Sequence, residues 1–325
     1  MIAKTGLRGL TNSLRTARLY STSATPAAST SLAGRVSGFF SATKETAKLY
    51  YNGSKQLFSN SKQAAILVRE KRSIELKGGE VSWTRSQFLM VKQTQKDMKK
   101  LPPFLFLVLI LPESIPFVLM FSPSMIPSTC VSLDQKRKLW TKLKERREAT
   151  ANAWIHQLNE FQSTAANLGK EAPNKAGELG WISQVPVAQF KDAASVLHLA
   201  KHAPQYFEVS SLERSVVKAM NGTIGLTERS LLTSSLKNAL EKHFDVIRED
   251  DVYLSGKGED VLSLDEMGLI EAAEARGIST MEKTREEILD DLKWWLTVSV
   301  NEENVRIPTG LMMMANLIRQ VKQKE

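Results

Sequence analysis

Cysteine is almost absent from this chain: Cys130 is the only one in 325 residues. A single thiol excludes an internal disulfide framework and any multi-cysteine zinc or iron–sulfur site. Histidine is scarce too, at four residues. His198 and His202 lie four apart and could share a helix face, but Leu199 stands where a metalloprotease has its glutamate, and no third ligand is near in sequence. Gly256 and Gly258 around Lys257 lack the spacing of a phosphate loop. Met312-Met313-Met314 reads as core or interface filling rather than a copper site. No nucleophile–base pair can be named, so a non-enzyme without a metal or cofactor is expected. Alternating apolar and polar runs with hairpin turns are missing as well, which leaves an all-α expectation.

Acid is missing from the front of the chain, where Glu45 is the first acidic residue. Lys4, Arg8, Arg15, Arg18 and Arg35 are spread there among Ser, Thr, Ala and Leu, with Leu7, Leu10 and Leu14 at helical spacing. That pattern over residues 1–35 is a mitochondrial transit peptide, with Arg18-Leu19-Tyr20-Ser21 resembling a processing site; a disordered basic tail is the alternative. No apolar run of secretory-signal length follows. Residues 1–100 hold 18 Lys/Arg against 5 Asp/Glu, whereas residues 245–325 hold 10 against 18, within an overall charge of +9. A uniform nucleic-acid-binding surface does not have this gradient, and a DNA partner is not expected.

What the chain does have is one uncharged stretch. From Leu101 to Pro127 it reads LPPFLFLVLILPESIPFVLMFSPSMIP, with Glu113 its only charge. As a helix it would reach roughly 40 Å, against a hydrocarbon core of about 30 Å, so residues 101–127 are expected to form a transmembrane segment kinked at Pro112 and Pro116. An acid near mid-membrane costs about 2.5–3.5 kcal/mol and is a functional candidate. Glu113 either binds protons or cations in an oligomeric pore, with carbonyls freed by Pro112 and Pro116, or is a protonated acid hydrogen-bonded inside a kinked helix pair. Residues 36–100 form a basic, helical pre-membrane segment. Behind the apolar stretch come Lys136, Arg137, Lys138, Lys142, Lys144, Arg146 and Arg147, suited to anionic lipid headgroups or to ribosomal RNA.

Residues 132–325 read as a helical bundle-like domain. Ser132-Leu133-Asp134-Gln135 is a capping box opening a long amphipathic helix through Leu139, Leu143, Ala151, Trp154 and Leu158. A second helix from Pro186 to before Pro204 and a third through Leu212, Val216 and Met220 follow. Thr227 is expected to cap a fourth helix with Leu232, Leu236, Leu240 and Phe244 on its apolar stripe. Ser263-Leu264-Asp265-Glu266 reads as another capping box, its helix ending at Arg276-Gly277. A longer helix near Glu282 carries Trp295, and Pro308 opens the last.

These residues carry a family resemblance. WTRSQFLMVKQTQKDMKKLPPFLFLVLILPESIPFVLMFSPSMIPST resembles the membrane module of the Letm family, the leucine-zipper and EF-hand-containing transmembrane proteins of the mitochondrial inner membrane. The likeness lies in Leu101 to Phe104, Pro112-Glu113 with Pro116, and Phe121 to Thr129. SLDEMGLIEAAEARGIS…EEILDDLKWWLTVSVNEENVRIPTGLMM resembles the family's later element, marked by Arg276, Gly277, Trp295, Leu296 and Pro308. The resemblance spans roughly 82–320. It implies a single-pass inner-membrane protein whose helical matrix domain binds the mitochondrial ribosome, with links to potassium/proton or calcium/proton exchange, volume control and respiratory-chain biogenesis. Glu113 matches the family's intramembrane acid. The expected partners are the mitochondrial ribosome, anionic inner-membrane lipids and further copies of the chain. The chain reads as a short member without the family's coiled coil and EF-hand region: Asp251 to Gly256 has a loop glycine, but Tyr253 and Leu262 stand where calcium ligands are needed.

Overall fold

The structure, a computed structural model, describes residues 32–110, 126–168, 182, 184–256 and 261–321. The chain divides after Lys48. The first unit is described as helical backbone from Leu32. The second, from Leu49, holds the rest. Ten α-helices cover the described residues: α1 (Leu32–Glu75), α2 (Arg85–Ile110), α3 (Leu133–Leu168), α4 (Ala193–His202), α5 (Pro204–Phe207), α6 (Arg214–Thr223), α7 (Thr233–Leu254), α8 (Glu266–Ala275), α9 (Arg285–Ser299) and α10 (Thr309–Gln320). No β-strand occurs among the described residues, as the periodicity predicts.

α3 begins where its capping box says. Ser132 N–H donates to Gln135 Oε1 at 2.9 Å, and Gln135 N–H returns to Ser132 Oγ at 3.2 Å. Its apolar stripe buries Trp140, Leu143, Ala151, Trp154 and Leu158. The last three join one continuous core with Phe190, Phe207, Met220, Leu236, Phe244, Trp295 and the inner face of α10. α10 is buried over ten consecutive positions, Thr309 to Ile318, because neighbouring elements enclose it on all sides. Pro308 stands at its N-cap.

Three expected helix starts move. The second helix is interrupted: Val187–Phe190 forms a short 3₁₀ turn, and α4 starts afresh with Asp192 accepting from Ser195 N–H at 2.8 Å. The eighth helix is capped by Asp265, not Ser263, since Gly268 N–H donates to Asp265 Oδ1 at 2.8 Å. Thr227 caps nothing; α7 begins at Thr233. The physical cause is Arg214, whose guanidinium binds Ser230 O at 2.6 Å, Leu231 O at 3.1 Å and Thr233 Oγ1 at 2.9 Å. These contacts take up carbonyls of the non-helical segment that precedes the helix. Leu232, expected on the buried stripe, is left 67% exposed.

α2 runs unbroken across the expected junction between residues 100 and 101 and carries Pro102 and Pro103. No helix among the described residues is long and apolar enough to cross a membrane. Pro112, Glu113 and Pro116 lie outside the described residues. α2 also packs on α7. Phe88 faces Tyr253 with ring centroids 5.2 Å apart, and Lys92 Nζ lies 3.0 Å from Glu249 Oε2.

Candidate functional site

The seven basic residues expected to face a partner share α3, but the fold gives them different tasks. Arg147 lies on the apolar stripe, one turn after Leu143 and one before Ala151, and is 2% exposed. Its Nε donates to Thr223 O at 2.8 Å. Its Nη1 reaches Glu274 Oε2 at 2.8 Å and Ile278 O at 3.2 Å. Arg147 thus ties α3 to the end of α6 and to the turn after α8, and cannot serve as a surface contact. Lys136 bonds Glu271 at 2.7 Å and Lys144 bonds Glu282 at 2.6 Å. Arg146 pairs with Glu228, and Arg137 lies 3.9 Å from Asp134. Lys138 and Lys142 are exposed, with no ion-pair partner among the described residues. At four-residue spacing, Lys138, Lys142 and Arg146 form one outward stripe on α3.

Of the family-motif residues, Arg276 and Trp295 meet inside the domain, on Asp251. Arg276, fully buried, sits at the end of α8. Its Nη2 donates to Asp250 Oδ2 at 2.8 Å and to Asp251 Oδ1 at 2.6 Å, its Nε to Asp251 Oδ1 at 2.8 Å, and its Nη1 to Ala272 O at 2.8 Å. Trp295 of α9 donates from Nε1 to Asp251 Oδ2 at 3.0 Å, and Ser299 Oγ donates to the same oxygen. Arg85, from the start of α2, completes the node with Nε–Oδ1 2.6 Å and Nη2–Oδ2 3.1 Å to Asp250. Two cations and two anions balance, and every Asp oxygen is satisfied; this is the condition for buried charge. Burial works to raise the Asp250 pKa, but the Arg276 charge and the Arg85 hydrogen bond outweigh it and hold the carboxyl below its usual range. Asp251, which a calcium loop would aim at its ion, is spent on Arg276, Trp295 and Ser299.

Gly277 follows at φ +76°, closing α8. Ile278 N–H bonds Ala273 O at 3.0 Å and Gly277 N–H bonds Glu274 O at 3.1 Å, a Schellman pattern that needs a left-handed residue. The turn also places the Arg276 carbonyl to accept from Asn316 Nδ2 of α10 at 3.1 Å. Leu296 and Pro308 are buried. Beside this turn, His243 of α7 contacts Ala275 O through Nε2 at 2.7 Å. Burial, with Lys96 and Arg276 adding positive charge, lowers its pKa to about 4 against the opposing hydrogen bond.

Sequence reasoning placed Arg276 and Trp295 but missed Arg85, His243 and the buried role of Arg147. For Arg147 a signal existed, its place in the apolar stripe. For Arg85, 165 residues from its partner, there was none. His198 and His202 have ring centroids 4.2 Å apart on the exposed face of α4. Among the described residues no group of three His, Cys, Asp or Glu could hold a metal ion.

A family model described as LETM1-like, RBD matches residues 84–318, beginning one residue before Arg85. Among curated relatives, the Drosophila melanogaster mitochondrial proton/calcium exchanger protein is 24% identical over 269 residues, covering 82% of this chain and 25% of that protein. The Schizosaccharomyces pombe LETM1 domain-containing protein mdm28, mitochondrial, is 23% identical over 239 residues, 72% of this chain and 48% of its own length. The chain thus spans between a quarter and about half the length of these relatives.

Proposed function

This chain belongs to the LETM1-like, RBD family, and from that premise we propose that it is a mitochondrial inner-membrane adaptor whose helical domain docks on the mitochondrial ribosome from the matrix side. The observation that carries the reading is the exposed pair Lys138 and Lys142 on α3, which has no ion-pair partner among the described residues, whereas Arg146, one turn on, is held by Glu228. Exposed cations without an ion-pair partner, one helical turn apart, suit the phosphates of ribosomal RNA, and such binding weakens with salt in proportion to the contacts made. The transit-peptide pattern and the mitochondrial relatives support the compartment, and the apolar stretch 101–127 supplies the attachment to the membrane. No reaction is assigned to the chain.

The test is cosedimentation of the full chain, in mild detergent, with mitochondrial ribosomes at low and moderate salt. Lys138→Glu combined with Lys142→Glu should abolish pelleting at salt concentrations where the parent chain pellets. Pelleting that ignores both the reversal and the salt would sink this reading.

A second reading draws on the Drosophila relative, a mitochondrial proton/calcium exchanger protein: cation/proton exchange by an oligomer around Glu113, flanked by Pro112 and Pro116. Glu113→Gln in liposomes should then abolish cation-driven proton flux, and unchanged flux removes the reading.

A further inference from the structure

From the outward face of α1 we infer that this helix lies along an anionic phospholipid surface, with Tyr51, Phe58 and Ile66 dipping into the interface and Lys55, Lys62 and Arg69 on the headgroup phosphates. The inference shares with the function proposed above only the membrane attachment, and it does not depend on ribosome docking.

Helix geometry divides α1 into three faces. At about 100° per residue, Tyr50, Gly53, Leu57 and Ala64 share one face, and all four are buried. That face is held in place. The Tyr50 ring meets Phe104 of α2 edge-on at 5.3 Å, and a Cβ on Gly53 would overlap the Thr129 carbonyl. Farther along, Lys71 Nζ lies 4.6 Å over the Trp83 ring. The corner beneath Gly53 is itself closed, since Asp97 of α2 accepts from Ser128 N–H at 3.0 Å. The rotation of α1 about its axis is therefore fixed. Tyr51, Lys55, Phe58, Lys62, Ile66 and Arg69 follow at steps of three or four and fall within an arc of roughly 80°, nearly opposite the buried face. Asn52, Gln56 and Gln63 make a third, uncharged flank that is also exposed.

The chemistry of the stripe selects its occupant. Tyr51, Phe58 and Ile66 are 71%, 58% and 54% exposed, and large apolar side chains in one exposed row mark an interaction site. Cations alternate with them, and Lys62 Nζ lies 4.6 Å from the Phe58 ring centroid. Lys55, Lys62 and Arg69 have no ion-pair partner among the described residues, and no acidic residue occurs from 49 to 69. The occupant is therefore anionic. A second copy of the same stripe would set cation against cation. A phospholipid surface satisfies both halves of the pattern, because apolar chains begin just beneath its phosphates and the long Lys and Arg stems reach up while the rings stay below. Continuity points the same way. Next to Phe104, on which α1 packs, Leu105 and Phe106 are 37% and 59% exposed where the apolar stretch begins.

The experiment uses the full chain, reconstituted from mild detergent into vesicles of phosphatidylcholine with cardiolipin and of phosphatidylcholine alone. Cys130 is buried, so the parent, treated with the same nitroxide reagent, gives the background. Labels go on Tyr51→Cys and Phe58→Cys in the stripe and on Gln56→Cys and Gln63→Cys in the flank. Power saturation of the electron paramagnetic resonance signal then reads collisions with oxygen, which concentrates in lipid, and with a nickel chelate, which stays in water. In cardiolipin vesicles the stripe labels should meet the nickel chelate several-fold less than the flank labels and oxygen more. Lys55→Glu with Lys62→Glu in the Phe58→Cys chain should erase that contrast. Equal nickel access at all four positions overturns the inference and leaves the membrane attachment standing. Stripe labels shielded from oxygen as well as nickel also overturn it, in favour of a protein occupant. A contrast as large in phosphatidylcholine alone overturns the assignment to anionic headgroups. A chain that does not float with the vesicles removes the attachment, and the inference with it.

Discussion

The guanidinium of Arg85 and the carboxylate of Asp250 face each other in a two-pronged ion pair, Nε to Oδ1 at 2.6 Å and Nη2 to Oδ2 at 3.1 Å, although 165 residues separate them. Because Arg276 grips the other side of the same carboxylate, one buried anion joins α2, α7 and α8. This joint lets residues that precede the apolar stretch belong to the same folded body as those that come after it.

Removing one cation from this node leaves buried charge uncompensated. Arg276→Ala should therefore cost about 3–5 kcal/mol, read as a lowered urea midpoint by far-UV circular dichroism of the detergent-solubilised chain. Lys142→Ala, on the exposed stripe, should stay within about 0.5 kcal/mol of the parent. Equal losses at the two positions would contradict the burial of Arg276.

Trp295→Phe keeps most of the ring volume but deletes the Nε1 donor to Asp251. A buried carboxylate that loses one donor is destabilised by about 1–3 kcal/mol. The same urea titration measures it, and a midpoint equal to that of the parent would show that the indole acts by packing alone.

Acid should weaken the fold in two steps. An unfolded histidine takes its proton near 6.5, whereas His243 in the fold does so near about 4. The unfolded state binds the proton first, so the stability His243 confers is complete above pH ~6.5. It drains away as pH falls towards 4, amounting to roughly 3 kcal/mol. Asp250 is held below its usual value, so its contribution is present above the unfolded pKa of about 3.9 and is lost as pH falls through its folded value. Urea midpoints at pH 7, 5.5 and 4.5 track the first step, and His243→Gln should flatten it. A parent whose midpoint does not change from pH 7 to 4.5 would refute the neutral, sequestered ring.

Gly277→Ala forces a side chain into φ +76° and sets its Cβ 3.2 Å from Ile224 Cγ2. The left-handed conformation alone costs about 1–2 kcal/mol. Differential scanning calorimetry should show a lower melting temperature, and a stability equal to that of the parent would mean the turn can close by another route.

Much of the helical domain was legible in the sequence because its signals are local. The Ser132–Gln135 capping box, the stripe through Leu143, Ala151 and Trp154, the Gly277 stop and the Pro308 start each depend on residues within one or two turns of one another. The misplaced starts share a different cause. Thr227 sits in a plausible cap, but Arg214, brought in from α6, keeps residues 230–232 out of the helix. Ser263 loses to Asp265, because a 3₁₀ turn at Val261–Ser263 occupies the preceding residues.

The candidate site divides the same way. Charge density alone marked all seven cations of α3, since composition counts charges without their partners. Only the packed structure separates Lys138 and Lys142, which face solvent, from Lys136 and Lys144, which are paired, and from Arg147, which is buried.

The sequence by itself determined that this chain is helical, where its long amphipathic helices lie, that its front is cationic and that one stretch is oil-like. Periodicity, capping and composition act between neighbours and need no partner. Tertiary structure alone decided that Asp250 is shared by Arg85 and Arg276, that Asp251 serves Trp295 and Ser299 rather than a metal, and that Asp97 and Ser128 meet across the apolar stretch. Those pairings join residues tens to more than a hundred positions apart, and the free energy that selects them exists only once the core has brought their helices together.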